Sequence, residues 1–354
     1  MSATAGPRLT PVRRSTLRQR LGAGASMATL AAAVLVLIGL QLGLFDREER
    51  VYAPWPVPPA ASATVDIGVT TPPLARNAWR PWQQSDLNGI NALEHAIQKH
   101  ISVVMWYADW ANNQPNVEQL EAVAARGSTP EITWEPWDAL NPVRYQPRYR
   151  LQNIVAGHFD SFIRAWANTL AAYERPVRLR FAQEMNGGWY PWSERSNGNL
   201  PHEFVRAWRH IHDIFRAVGA TNVEWVWSPA AITINASQYP GDAYVDLVSL
   251  STFNGDSQLR YSRWRPFAQG LSRSLARLRA IAPTKPIEIS EIGVAGTDGS
   301  KAAWIGGMFE TLRRNPSIVS VIWYDLAKES DWRFESGPRA TAAFAAGVAH
   351  PRYR

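Results

Sequence analysis

Glu184 and Glu291 are the two side chains whose types and settings could do chemistry together. Glu184 lies in Arg180-Phe181-Ala182-Gln183-Glu184-Met185-Asn186-Gly187-Gly188-Trp189-Tyr190-Pro191-Trp192, where a strand-like run from Val177 to Phe181, apolar but for Arg178 and Arg180, leads into a glutamate flanked by arginine and indoles. Glu291 lies in Lys285-Pro286-Ile287-Glu288-Ile289-Ser290-Glu291-Ile292-Gly293, where Pro286 starts a second short apolar run. Two facing carboxyls suit cleavage of a glycosidic bond. One donates a proton to the leaving oxygen while the other attacks the anomeric carbon, and a spacing near ~5–5.5 Å gives retention of configuration. Desolvation by indoles and repulsion by a second acid would raise the pKa of Glu184. Arg180 would help keep Glu291 charged.

Both glutamates need strands to deliver them. Side chains alternate faces along a strand, so Arg178, Arg180, Ala182 and Glu184 are expected on one face. By the same rule Glu291 shares a face with Ile287 and Ile289. Glu288 has the opposite parity and lies about 10 Å deeper at ~3.3 Å per residue, so it reads as a structural partner of a helix.

Strands are expected near Ile67–Thr70, Ser102–Tyr107, Glu131–Trp134, Val177–Phe181, Val223–Trp227, Leu247–Phe253, Ile287–Ile289 and Val319–Tyr324. Apolar residues at three- and four-residue spacing predict helices at about Leu87–Lys99, Val117–Arg126, His158–Tyr173, His202–Val218, Arg263–Ile281 and Lys301–Arg313. Alternation of this kind implies a parallel sheet with crossover helices. Eight strands in a chain of this size point to an α/β fold, a (β/α)8 TIM barrel, whose sites form at the strands' C-terminal ends. Asp109 and Trp110, Glu135 and Trp137, Glu184, Ser228, Asn254 and Asp256, and Glu291 follow successive strands from the second to the seventh, as that rule requires.

The 354 residues carry a net charge of +7, but residues 1–50 hold seven arginines against three acids. The remainder is close to neutral, which argues against a nucleic-acid footprint. No cysteine is present, so disulfides, thiolate metal sites and thiol nucleophiles are excluded together. The 17 tryptophans are the compositional outlier, and indole faces suit sugar stacking. No metal-ligand set is read from the seven histidines, and His210-Ile211-His212 reads as surface packing on a helix.

Residues 27–45 contain no charge and are about long enough to cross the ~30 Å hydrocarbon layer. Arg8, Arg13, Arg14, Arg18 and Arg20 precede them, which places the N-terminus in the cytoplasm by the positive-inside rule. The expected organisation is a basic cytoplasmic tail (1–25), a single transmembrane signal anchor (26–45), a proline-rich tether (46–65) and the barrel (66–350). Cleavage of a signal peptide after Ala53 is the rival reading, and it would release the barrel as a secreted protein. In both cases the barrel lies outside the cytoplasm.

The two chemical segments resemble glycoside hydrolase family 26, the retaining endo-β-glycanases that include β-mannanases and mixed-linkage β-glucanases. The resemblance covers most of residues 66–335. It rests on Arg180 to Trp192, on Val226-Trp227-Ser228-Pro229, on Tyr239 to Asp246, on the Glu291 segment, and on Trp323 with Asp331-Trp332-Arg333. It implies Glu184 as acid/base, Glu291 as nucleophile, Trp323 as a stacking platform for the sugar, Trp189 lining the same cleft, and no cofactor.

Two residues depart from the family pattern. Gln183 stands where a histidine is usual, and Phe253 stands where a tyrosine hydroxyl often supports the nucleophile. The resemblance implies a retaining endo-β-glycanase acting on a polysaccharide, β-mannan first, with β-1,3-1,4-glucan as an alternative; the N-terminal segment would anchor it in a membrane, which adds a self-made exopolysaccharide as a further alternative. A glycan-binding module without turnover is the reading from another class. A transglycosylase would use the same residues and differ only in acceptor.

Overall fold

The computed structural model describes residues 64–75, 81–255 and 263–354. The expected tail and anchor, nearly all of the tether, and Asp256 lie outside the described residues. Among the described residues no helix is long and apolar enough to cross a membrane.

Eight parallel strands close into a barrel in sequence order, with β1 hydrogen-bonded to β8. They are β1 (Asp66–Thr70), β2 (Val103–Asp109), β3 (Thr129–Glu135), β4 (Val177–Phe181), β5 (Val223–Trp227), β6 (Leu247–Asn254), β7 (Ile287–Val294) and β8 (Ile318–Tyr324). The helices are α1 (Asn88–Ile97), α2 (Val117–Ala125), α3 (Leu151–Val155), α4 (Asp160–Tyr173), α5 (Glu203–Val218), α6 (Phe267–Ile281), α7 (Asp298–Arg314) and α8 (Pro338–Val348). Between β5 and β6 the described chain makes only two single-turn 3-10 segments, Ala236–Gln238 and Asp242–Tyr244. The repeat is therefore not eight uniform strand–helix units. The last residues complete the barrel floor: Arg354 N–H donates to Val65 O at 3.0 Å, and Ile67 N–H donates to Arg354 O at 3.0 Å.

Alternation sorts the strand side chains into two environments. One set faces the helices: Ile67, Val69, Val104, Ile132, Leu179, Val248 and Val321 belong to the large core between barrel and helices. Inward positions are mostly polar at the floor. There Arg178 donates to Asp66 at 2.9 Å, Glu288 at 3.0 Å and Glu224 at 3.2 Å, and to Ser320 Oγ at 3.1 Å. A buried charge needs such partners to offset its lost hydration. Glu288 thus points into the barrel, within a network that ties β1, β5, β7 and β8 to β4, which corrects the expectation that it serves a helix. Gly68 is required by close approach: a Cβ there would stand 3.0 Å from Val103 O and 2.9 Å from the Ile322 side chain.

Candidate active site

Glu184 is not the next residue of a strand. β4 ends at Phe181, and Ala182 (φ 49°) and Glu184 (φ 54°) both adopt left-handed backbone. Such conformations are costly for residues with a Cβ and persist where surrounding bonds over-determine them. Those bonds are Ala182 N–H to Trp134 O at 3.0 Å, Glu184 N–H to Ser228 O at 2.7 Å, and Trp192 Nε1–H to Gln183 O at 2.7 Å. Asn186 locks the same turn to the loop after β5, exchanging hydrogen bonds with Ala230 N–H and O at 2.8 and 3.0 Å. The expected shared face of Arg178, Arg180, Ala182 and Glu184 therefore holds only for the two arginines. Glu184 reaches the barrel mouth through the kink.

Glu291 also escapes simple alternation. Leu250 pairs with Ile289 and Ser251 pairs with Glu291, so Ser290 is an extra residue in β7, a β-bulge. Ile287 and Ile289 face the helices, whereas Glu288, Ser290 and Glu291 all face inward. This corrects the expectation that Glu291 shares a face with the two isoleucines. The bulge aims it.

Arg180 is fully buried beneath the pair. Its Nη1 donates to Glu291 Oε1 at 2.5 Å and to Thr133 Oγ1 at 3.2 Å, and its Nη2 donates to Ser251 Oγ at 2.9 Å. Glu184 is half-buried and accepts from Trp189 Nε1 at 2.8 Å. Burial, followed by repulsion from Glu291, pushes the Glu184 carboxyl up to about 7, against the lowering effects of Arg180 and the Trp189 indole. One carboxyl thus carries a proton near neutrality while its neighbour pairs with a guanidinium. That is the division of labour a proton donor and a nucleophile require.

Trp189 is 45% exposed and lies over Gly187, where a Cβ would penetrate the indole ring. It is therefore presented to the cleft. Gln183 is fully buried, and its Nε2 donates to Glu135 Oε1 at 2.6 Å. Phe253 packs edge-on against Tyr324, with ring centroids 5.3 Å apart, and against Trp332 at 5.0 Å. Trp323 is not brought to the site. It is 0% exposed, faces outward between β8 and the helices, contacts Trp304, Phe334 and Phe344, and donates its Nε1–H to Trp332 O at 2.9 Å. The sugar-platform expectation for Trp323 is corrected on that ground: strand parity turns it to the core.

The inward neighbour Tyr324 reaches the mouth instead. Glu291 raises the pKa of both Tyr107 and Tyr324 after burial, and Glu184 heads the charges that raise Tyr190. Three phenols therefore ring the carboxyls. Tyr107 and Tyr324 could have been found from strand parity, each lying an even number of residues from an inward position. Tyr190 lies in an irregular loop and carried no such signal. Of the other rim residues, Trp110 is buried in the outer core, and Asp109 caps its own loop through Asn112 and Ala111. His210 pairs with Asp160 at 2.7 Å, and His212 packs against Trp225 and Tyr244.

Residues 134–269 match the family described as glycosyl hydrolase family 26. Endoglucanase H of Acetivibrio thermocellus is 34% identical over 281 residues, covering 77% of this chain and 30% of the relative. The chain belongs to glycoside hydrolase family 26. A β-1,3-xylanase, TXYA of a Vibrio species, is 29% identical over 175 residues, or 48% of this chain and 36% of the relative. The chain thus spans about a third of the length of these curated relatives. A family 26 β-mannanase structure from Bacteroides ovatus superposes with a TM-score of 0.61 at 15% identity, covering 82% of this chain and 90% of that one. At that identity the likeness shows the fold. The matched family 26 stretch contains Gln183, Glu184, Trp189 and Phe253, whereas Glu291 lies beyond it.

Proposed function

We propose that this family 26 chain is a retaining endo-β-glycanase with Glu184 as acid/base and Glu291 as nucleophile. The observation that carries the reading is the asymmetric pair itself. Glu291 is clamped by Arg180, while Glu184 is held up to about 7 and bonded to the exposed Trp189. In the first step a Glu291 oxygen forms a bond to the anomeric carbon as the glycosidic C–O bond breaks. The Glu184 proton passes to the leaving oxygen. In the second step Glu184, now ionised, takes a proton from water; the water oxygen bonds to the anomeric carbon and Glu291 departs as a carboxylate. Net configuration is retained.

A β-linked glucan is the first substrate to test, because the relative that aligns over 281 residues of this chain at 34% identity is named an endoglucanase. Gln183 and Phe253 replace the histidine and tyrosine usual in the family, which weakens the case for β-mannan. The decisive experiment incubates the full chain with mixed-linkage β-glucan, β-mannan and β-1,3-xylan, following product anomers by NMR. Initial release of the β-anomer and loss of cleavage in both Glu184→Ala and Glu291→Ala support the reading. Undiminished cleavage in either variant, or initial release of the inverted anomer, defeats it. The apolar segment 26–45 and the arginines before it support anchoring in a membrane with the barrel outside the cytoplasm. Extraction of the chain from membranes by alkaline carbonate would defeat the anchor.

A further inference from the structure

A third carboxyl stands at the mouth that the two-step reaction leaves unused. Glu135 ends β3 and is only 5% exposed, yet among the described residues it enters no ion pair. Its Oε1 accepts from Gln183 Nε2 at 2.6 Å and its Oε2 from Trp137 Nε1 at 3.2 Å, both neutral donors. The guanidinium of Arg180 is committed to Glu291, Thr133 and Ser251. The charges bearing on Glu135 are Asp109 from β2 and Glu291 from β7. The phenols of Tyr190 and Tyr324 face it from the loop after β4 and from β8.

A buried acid among acids, with no cation, destabilises a fold. Gln183 adds to the cost, because holding Glu135 leaves its own buried Oε1 without a partner. Neither residue is explained by stability. Both are explained if a ligand completes the set. Trp137 and Tyr190, centroids 5.5 Å apart, and Trp192 stacked on Tyr190 at 4.3 Å build a rigid aromatic wall behind the carboxyl. Such a wall fixes the direction in which the remaining lone pairs point.

We propose that Glu135 is a specificity-determining residue that hydrogen-bonds a hydroxyl of the sugar unit bound over Glu291, with Gln183 as the positioning residue that aims it. A hydroxyl suits this group because it donates and accepts, and burial keeps Glu135 near the point where it does both, pushed up to about 7. A histidine at position 183 would set a titratable donor against the acid; the glutamine amide is neutral at every pH. The inference rests on the glycanase reading and fails separately from it.

The test uses the full chain with mixed-linkage β-glucan and with a series of oligosaccharides, each lacking one hydroxyl. A site built to bond a hydroxyl rejects the analogue lacking it by orders of magnitude. Wild type is expected to lose at least about a hundredfold in kcat/KM on one deoxy analogue. Glu135→Gln is expected to raise KM about tenfold or more on the parent sugar, and to lose most of the discrimination against that analogue. Gln183→Leu is expected to raise KM in the same direction with Glu135 intact. Uniform kcat/KM across the deoxy series in wild type overturns the inference even if Glu135→Gln fails to fold, as does an unchanged KM in a folded Glu135→Gln. If wild type cleaves nothing, the glycanase reading fails alone. Calorimetry of mixed-linkage β-glucan tetrasaccharide binding then decides, and either equal affinity of wild type and Glu135→Gln or no binding by wild type overturns the contact.

Discussion

Glu184 holds its proton near neutrality because burial and the charge of Glu291 outweigh Arg180 and the Trp189 indole. Bond cleavage needs that proton, so kcat/KM should fall as pH rises through about 7. The Trp189 N–H stabilises the ionised form. Trp189→Phe removes it, so the alkaline limb of the pH–rate profile should move to higher pH; a limb that stays or falls would refute the assignment. Glu291→Gln removes the repulsion, and an NMR titration of Glu184 should then midpoint below the wild-type value. Gly187 belongs to the same device, since only a residue without Cβ leaves room for the indole. Gly187→Ala should displace Trp189 and cost about a hundredfold in kcat/KM, as small misplacements of a catalytic constellation do. Far-UV circular dichroism should be unchanged.

The strands were legible because their apolar runs are short and regularly spaced, and every expected strand falls within a few residues of an observed one. What could not be read was where alternation breaks. A period-two rule assigns a face only while the backbone stays extended, and it fails at the left-handed turn through Ala182 and Glu184 and at the bulge at Ser290. Resemblance puts Trp323 in the cleft, but Val321, two residues before it, faces the helices, and Trp323 follows it to that face. Helix α8 leaves no periodic mark in the sequence, because PRATAAFAAGV is alanine-rich, with few large apolar residues. The bulge yields a prediction at this scale. Inserting one alanine between Leu250 and Ser251 would give Ser290 a partner, restore regular pairing and, by alternation, turn Glu291 toward the helices. Activity should fall by at least about a thousandfold, the scale on which loss of a nucleophile acts, and nucleophilic rescue by azide should not depend on Glu291. Retention of more than a tenth of the activity would show that the bulge does not aim the nucleophile.

The whole barrel is held from below by charges that hydrophobic residues could have replaced. Arg178 joins β1, β5, β7 and β8 to β4, and removing it as Arg178→Met leaves Asp66 and Glu288 buried without it. A loss of about 3–5 kcal/mol in urea unfolding at neutral pH is expected. Glu131 is the weak member of this floor. It is fully buried beside the carboxyl of Glu288, and burial followed by the charge of Glu288 raises its pKa well above the ordinary carboxylate value. The folded state therefore binds a proton that the unfolded chain releases. Stability from this group is fully present below the unfolded pKa, near ~4.3, and is lost as pH rises toward the folded value. Glu131→Gln keeps the shape and can donate to Glu288 without a proton to lose. Its urea midpoint should exceed that of wild type at pH 8, and the gap should close toward pH 4. An equal or lower midpoint at pH 8 would mean that Glu131 is ionised and satisfied in the folded barrel.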